Sequence, residues 1–324
     1  VGFFMGVSTG ASAIISQFFG AGDMRKMRHA VHTTLFITIV IGIFSTFFGV
    51  LASPTILRLM QTPQDVLQEA VVYLRIYFLG ISALMIYNMG SAILRAVGDS
   101  RRPLYFLVVT SVINVVLDVV FVVVFRLGIA GVAWATLIAQ VVSAVLVMVV
   151  LYRSHEMFGL HLKGIRYDGP MVGRILQVGL PSGFQQSVTA ISNVLVQYYV
   201  NGFGTAVIAG FSAYLKIDTF LLMPMQSISL AVVTFVGQNV GAGNIARAKK
   251  GVTVSAIMGL ITNTACCVGL WFFGYKVLGI FSSDADVLAY GTEIMKIMLP
   301  LYFLLGLTLI YAGAMRGFGE AMPP

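Results

Sequence analysis

Charge is what this chain has least of. Asp, Glu, Lys and Arg together make up 10% of its 324 residues, hydrophobic residues make up 58%, and mean hydropathy is +0.94. A soluble domain carries about 25% charged residues, so a soluble globular fold is excluded and a polytopic membrane protein is expected. Cysteine is nearly absent too. Cys266 and Cys267 are the only two, adjacent in an apolar run, and supply neither a metal pair nor a disulfide framework. The four histidines, His29, His32, His155 and His161, all fall outside the apolar runs. There is no HExxH pair, no Walker loop and no dinucleotide fingerprint, so enzymatic chemistry is not expected. The first apolar run has no basic n-region and no cleavage site, so a signal peptide is not apparent.

What the chain does have is length in its apolar runs. Nine are long enough to cross ~30 Å of hydrocarbon, at about 3–19, 33–52, 70–93, 104–125, 129–151, 175–201, 206–236, 252–274 and 289–315. The net charge of +8 could suggest nucleic acid, but its placement argues against that partner. Loops near 20–32, 95–103, 153–174, 241–250 and 316–324 hold fourteen Lys and Arg, whereas the opposite loops hold Arg58, Arg126 and Lys276. That bias is the positive-inside pattern, and it assigns the first set of loops to the cytoplasmic side of a multi-pass protein of the cell membrane. Arg75, Lys216 and Lys296 can snorkel to the outer interface.

The chain also repeats itself at a shift of 221 residues without a gap. Gln17, Gly20, Ala21 and Gly22 fall on Gln238, Gly241, Ala242 and Gly243, Arg95 and Gly98 on Arg316 and Gly319, and Pro103 on Pro324. Six crossings separate the copies, so both have the same orientation, the arrangement of transporters built from parallel repeats. The expected fold is an all-α polytopic membrane protein of two parallel-repeat helical bundles. Residues 1–152 form the first lobe, 153–173 a polar linker containing Arg153, His155, Glu156, Lys163 and Arg166, and 174–324 the second lobe. The helix at 175–201 has its repeat partner before Val1, so the chain is expected to be a fragment unable to transport by itself. The Gly-Ala-Gly segments read as helix C-caps and tight turns, and Arg95 and Arg316 as cations facing helix C-terminal dipoles. Pro224 and Pro300 fall inside apolar runs and allow kinks.

Eleven of the twelve carboxylates lie in loops or near helix ends, and Asp118 is the exception. An ionised Asp at a helix centre costs ~2.5–3.5 kcal/mol on insertion scales, so it should face protein and be paired, protonated or cation-bound. Asn114 lies one turn before it on the same face. Asp118 precedes Leu127 by nine residues and Thr136 follows it by nine, which sets the two at one height on antiparallel helices. Asn114, Asp118 and Thr136 offer the oxygen ligands of a hard cation, Asp118 alone could carry a proton, and a purely structural cluster remains the alternative. A second stripe, Gln186, Thr189, Asn193 and Gln197, and the residues Tyr87, Asn88 and Gln226 are candidates for a substrate cavity.

These residues together resemble the multidrug and toxic compound extrusion (MATE) family of cation-coupled antiporters. The likeness rests on Gln17…Gly20-Ala-Gly, Gln238…Gly241-Ala-Gly, Arg95…Gly98, Arg316-Gly317-x-Gly319, Asn114-x-x-x-Asp118, Gly131…Thr136 and Gly179-Leu-Pro181, and covers essentially the whole chain. The resemblance implies twelve helices in two six-helix lobes around a central cavity, of which helix one and most of the last two would be absent. It favours the DinF-like branch, in which Asn114, Asp118 and Thr136 match positions that bind the coupling ion. The NorM-like carboxy-lobe acids are replaced by Thr189 and Leu305. The expectation is a monomeric antiporter that exports small cationic or amphipathic organic compounds against Na⁺ or H⁺ entry, with no cofactor. A lipid-linked oligosaccharide flippase is the nearest alternative, and an intramembrane enzyme or a channel stands further off.

Overall fold

The structure is a computed structural model that describes residues 2–60, 62–154, 158, 160, 161 and 164–320. His155, Glu156 and Lys163 of the linker, and Pro324 of the repeat, lie outside the described residues. Among the described residues, ten α-helices follow one another: α1 (Gly2–Gly20), α2 (Met24–Leu59), α3 (Gln64–Ala96), α4 (Arg101–Val119), α5 (Gly128–Arg153), α6 (Gly169–Val200), α7 (Thr205–Gly241), α8 (Ile245–Leu278), α9 (Ala285–Met298) and α10 (Tyr302–Phe318). A single 3-10 turn, Leu299–Leu301, joins α9 to α10 at Pro300, whereas α7 runs through Pro224 unbroken. Proline removes one helix hydrogen bond in both places.

Eight helices, with α9 and α10 taken as one, are long and apolar enough to span a membrane among the described residues. The helix expected at 175–201 forms as part of α6 but is not one of the eight. Its glutamines and asparagines, Gln177, Gln185, Gln186, Asn193 and Gln197, lower its hydropathy. It also begins earlier than its apolar run. Asp168 accepts from the Met171 amide (3.2 Å) and Pro170 occupies the first turn, a start signal placed inside the polar linker.

The first bundle is α1 to α5, with α2 and α5 packed on α3, and α4 on α5. Its core gathers Ile15, Met27, Leu35, Met89, Ile93, Val147 and Leu151, all buried. The linker contributes Phe158 and Leu160 to this same core, so its apolar residues anchor it to the first bundle. The second bundle is α7 to α10, with α7 at its centre. Helix α6 lies along α1, where two stripes of small residues meet. A Cβ on Gly6 would strike the backbone of Gly183, and one on Gly10 the backbone of Gly179. In a bilayer, where lipid tails are as apolar as leucine, such close backbone approach is what holds helices together.

The repeat is visible in the turns. After α1 and α7, Gly22 and Gly243 take positive φ (69° and 73°), and Asp23 and Asn244 then cap α2 and α8. The Asp23 carboxylate accepts from the Lys26 amide (3.0 Å) and the Asn244 side chain from the Arg247 amide (3.1 Å). The Lys26 amide, then its ammonium, hold the Asp23 carboxyl below the usual carboxylate range. Gly98 and Gly319 both have φ of 93°, and in each case the following amide returns to the carbonyl five residues back, Asp99 to Leu94 and Glu320 to Met315, both at 3.0 Å.

Candidate functional site

Helix α4 is a run of valines and leucines that turns sharply into α5 at Arg126 and Gly128, both with positive φ. The turn fixes the antiparallel register of the two helices. Asn114 and Asp118 are half-buried on α4, and Thr136 is half-buried on α5. The Thr136 hydroxyl donates to the Val132 carbonyl of its own helix (3.0 Å), which leaves its lone pairs available as acceptors. The Asp118 Oδ1 and the Asn114 Nδ2 are buried and have no hydrogen-bond partner among the described residues. A carboxylate oxygen withdrawn from water without a donor is costly, and a proton or a cation is the ordinary remedy.

The same register adds a residue that the sequence reading missed. Gln140 is one turn beyond Thr136 and, like Asn114 on the other side, is thirteen residues from Leu127. Its Oε1 is also buried without a partner and lies over Gly80 of α3, where a Cβ would collide with it. Asn114, Asp118 and Gln140 thus each bury a polar atom that has no hydrogen-bond partner among the described residues. Extending the height argument from Thr136 by one turn would have found the third.

The other cavity candidates are scattered. Gln186 is exposed on α6 where that helix passes Gly2 of α1, Thr189 and Asn193 are exposed farther along, and Gln197 donates to Asn201 (2.8 Å). The Tyr87 hydroxyl donates to the Pro103 carbonyl (3.0 Å) and so braces α3 to α4, while Asn88 donates to Leu84 of its own helix. Gln226 is exposed on α7, beside exposed Met223 and Leu230. The structure also corrects the view that Asp118 is the one carboxylate inside a helix. Asp218 is half-buried within α7, where the Tyr214 hydroxyl lies 3.4 Å from its Oδ1 and 2.9 Å from the Tyr302 hydroxyl. Asp218 is 23 residues from Gly241, or about 34 Å along the helix, a depth close to the far interface.

The two bundles are locked at the end that carries the Gly-Ala-Gly turns. Gln17 on α1 donates across to the Gly317 carbonyl on α10 (2.9 Å), and Gln238 on α7 donates to the Ala96 carbonyl on α3 (2.9 Å). Both residues of each bond map onto the other bond under the 221-residue shift. The glycines obey the same symmetry: a Cβ on Gly20 would occupy the place of the Gln238 carbonyl, and one on Gly241 the place of the Gln17 carbonyl. The tetrads are therefore more than turns. Gly22 and Gly243 make the turn, Gly20 and Gly241 admit the opposite backbone, and the glutamines tie the bundles together. Arg95 and Arg316 are half-buried beside the accepting carbonyls, with the Arg316 Nε donating to Ala312 (3.0 Å). Toward the other end, Phe3 and Met5 on α1 and Phe220 and Met223 on α7 are exposed.

The MatE family pattern matches residues 1–120 and 181–324. The probable multidrug resistance protein YpnP of Bacillus subtilis (strain 168) is 31% identical over 323 residues, which cover 99% of this chain and 72% of that protein. A FAD transporter of Shewanella oneidensis is 24% identical over 328 residues, covering 98% of this chain and 71% of that one. Among solved structures, the outward-facing conformation of a multidrug resistance MATE family transporter of the MOP superfamily superposes with a TM-score of 0.92 at 21% identity, covering 99% of this chain and 72% of that one.

Proposed function

The chain belongs to the MatE family, and we propose that it works as a secondary antiporter in which Asp118 carries the coupling ion. Family membership makes it a multi-pass membrane transporter of small molecules rather than an enzyme. The observation that carries the coupling proposal is the buried Asp118 Oδ1, without a hydrogen-bond partner among the described residues and one turn from Asn114; the residue count from Leu127 supports Thr136 as its neighbour on α5. Na⁺ would be held by oxygen atoms of these side chains, and H⁺ by the Asp118 carboxyl itself. Each inward charge is worth ~2.3 kcal/mol per 100 mV, enough for one ion to sustain a useful substrate gradient.

Alternating access would part the two Gln-to-carbonyl bonds and two glycine contacts that tie one end symmetrically, with α6 lying along α1 through Gly6 and Gly10. The charge bias makes that end the cytoplasmic one, so the state described here would face outward. Ion binding at Asp118 would bias the two lobes between states, and residues of α6 and α7 such as Gln186, Asn193 and Gln226 would line the path. The multidrug names of the relatives and the many Met and Phe residues support amphipathic organic cations as cargo. The protein would act as a monomer in the cell membrane.

Transport in liposomes by a full-length version of the protein, with Na⁺ and pH gradients imposed separately, tests this reading. Efflux of an organic cation should follow one of the two gradients. Conduction that ignores both would refute antiport, and movement of a nucleotide-like anion alone would refute the cargo class.

A further inference from the structure

A second concentration of polar side chains lies away from Asp118, where α2 begins. Arg25, Arg28, His29 and His32 are spaced i, i+3, i+4, i+7 and so share one face of the helix. The linker crosses that face and brings Arg166 and Asp168 to it, enclosing a cavity of about 350 Å³. Three arginines therefore meet one carboxylate. That carboxylate is already engaged: its Oδ1 accepts from the Met171 amide at the start of α6, and its Oδ2 lies 3.7 Å from the His29 Nδ1. Neither Arg25 nor Arg166 has a carboxylate partner among the described residues, and both are exposed at the mouth.

His32 forms the wall rather than a ligand. Its Nδ1 donates to the Arg28 carbonyl (2.7 Å) and its Nε2 accepts from the His161 amide (3.2 Å), an arrangement that fits the neutral ring. That bond ties the linker to α2 and keeps the cavity shaped. The cavity is too large for a monatomic anion to fill. Two guanidinium groups facing one space suit the oxygens of a phosphate group, to which arginine bonds through two parallel N–H groups. Its depth is informative too. The charged part of α2 gives way to an apolar run at Thr33, which is the last residue of α2 to line the cavity. Basic pockets at this level are where phosphate headgroups lie.

We propose that this cavity between α2 and the inter-lobe linker binds a phosphate group, held by Arg25 and Arg166 with His29 beside them. The proposal does not depend on the direction of transport or on the coupling ion. A lipid headgroup and a soluble phosphate present the same chemistry, and the test separates them.

The protein would be placed in micelles of an alkyl maltoside, which has no phosphate group, and its melting temperature followed with two probes, inorganic phosphate and added phosphatidylglycerol. The variants are Arg25→Gln with Arg166→Gln, and, as an equal loss of charge in the second lobe, Lys249→Gln with Lys250→Gln. A rise with phosphatidylglycerol alone identifies a lipid, and a rise with inorganic phosphate a soluble ligand. In either case the arginine pair should weaken the response by about tenfold or more in apparent affinity, and the lysine pair should leave it intact. Both variants should melt like the parent when no probe is present, since the altered side chains are exposed. The proposal is overturned if neither probe moves the parent, if the arginine pair responds as the parent does, or if both pairs lose the response equally.

Discussion

Replacing Gln17 and Gln238 together with alanine should open the closed end of the molecule. Each amide donates one 2.9 Å bond to a backbone carbonyl of the opposite bundle. A net contribution of about 1 kcal/mol per bond is usual, so the pair is worth ~2 kcal/mol, a factor of about 30 in the ratio of closed to open states. A population closed in 99 of 100 molecules would fall to roughly three in four. Spin labels can read this change. Cysteines placed at Lys26 and Lys249, exposed at the starts of α2 and α8, report the separation of the lobes once Cys266 and Cys267 have been replaced by alanine. Pulsed electron spin resonance should show a growing long-distance population in the double variant and about a fivefold change in each single one. Gly20→Ala should do the same from the other side of the contact, since its methyl group meets the Gln238 carbonyl. A distance distribution unchanged from the parent, or shifted toward shorter distances, would refute the view that these bonds hold the lobes together.

Three further outcomes follow from local structure. Asn244→Ala removes the cap of α8 and should cost about 1 kcal/mol, measured as lower resistance to unfolding, with no change in ion dependence. Asp23 has its carboxyl held below the usual range, so the stabilisation from its cap should be fully present above the ordinary carboxylate pKa and disappear as pH falls through the lowered value. Asp23→Asn should remove that acid dependence. Tyr87→Phe deletes the bond from α3 to the Pro103 carbonyl and should destabilise by ~1 kcal/mol, whereas a direct role in cargo binding would instead appear as altered transport at unchanged stability.

How much of this could be read from the sequence varies with the range of the interaction involved. The helices were legible because each apolar run must satisfy its backbone internally in lipid. The packing of α4 on α5 was legible because a tight turn joins them, and counting residues from that turn is what sets Asp118 against Thr136 and reaches Gln140. The start of α6 carried its signal in Asp168 and Pro170, yet a polar context made it read as linker. Gly20 and Gly241 were different in kind. A turn glycine and a glycine that admits another backbone look alike in sequence, and only the docked lobes distinguish them. The reciprocity of Gln17 and Gln238 was present in the 221-residue shift, but the shift says which residues correspond and not which ones touch. Asp218 was grouped with the helix ends although the expected run at 206–236 and α7, which begins at Thr205, agree there within one residue and set it thirteen residues inside the helix.

The central claim is that the buried carboxyl of α4 couples an ion gradient to movement between the two lobes. Asp118→Asn keeps the shape and removes the charge, so it isolates that role. In liposomes with the effective Na⁺ or pH gradient imposed, a full-length parent should drive substrate uphill, and its Asp118→Asn variant should bind the substrate but lose gradient-driven accumulation. Accumulation by Asp118→Asn equal to that of the parent, under the same gradient, would contradict the account.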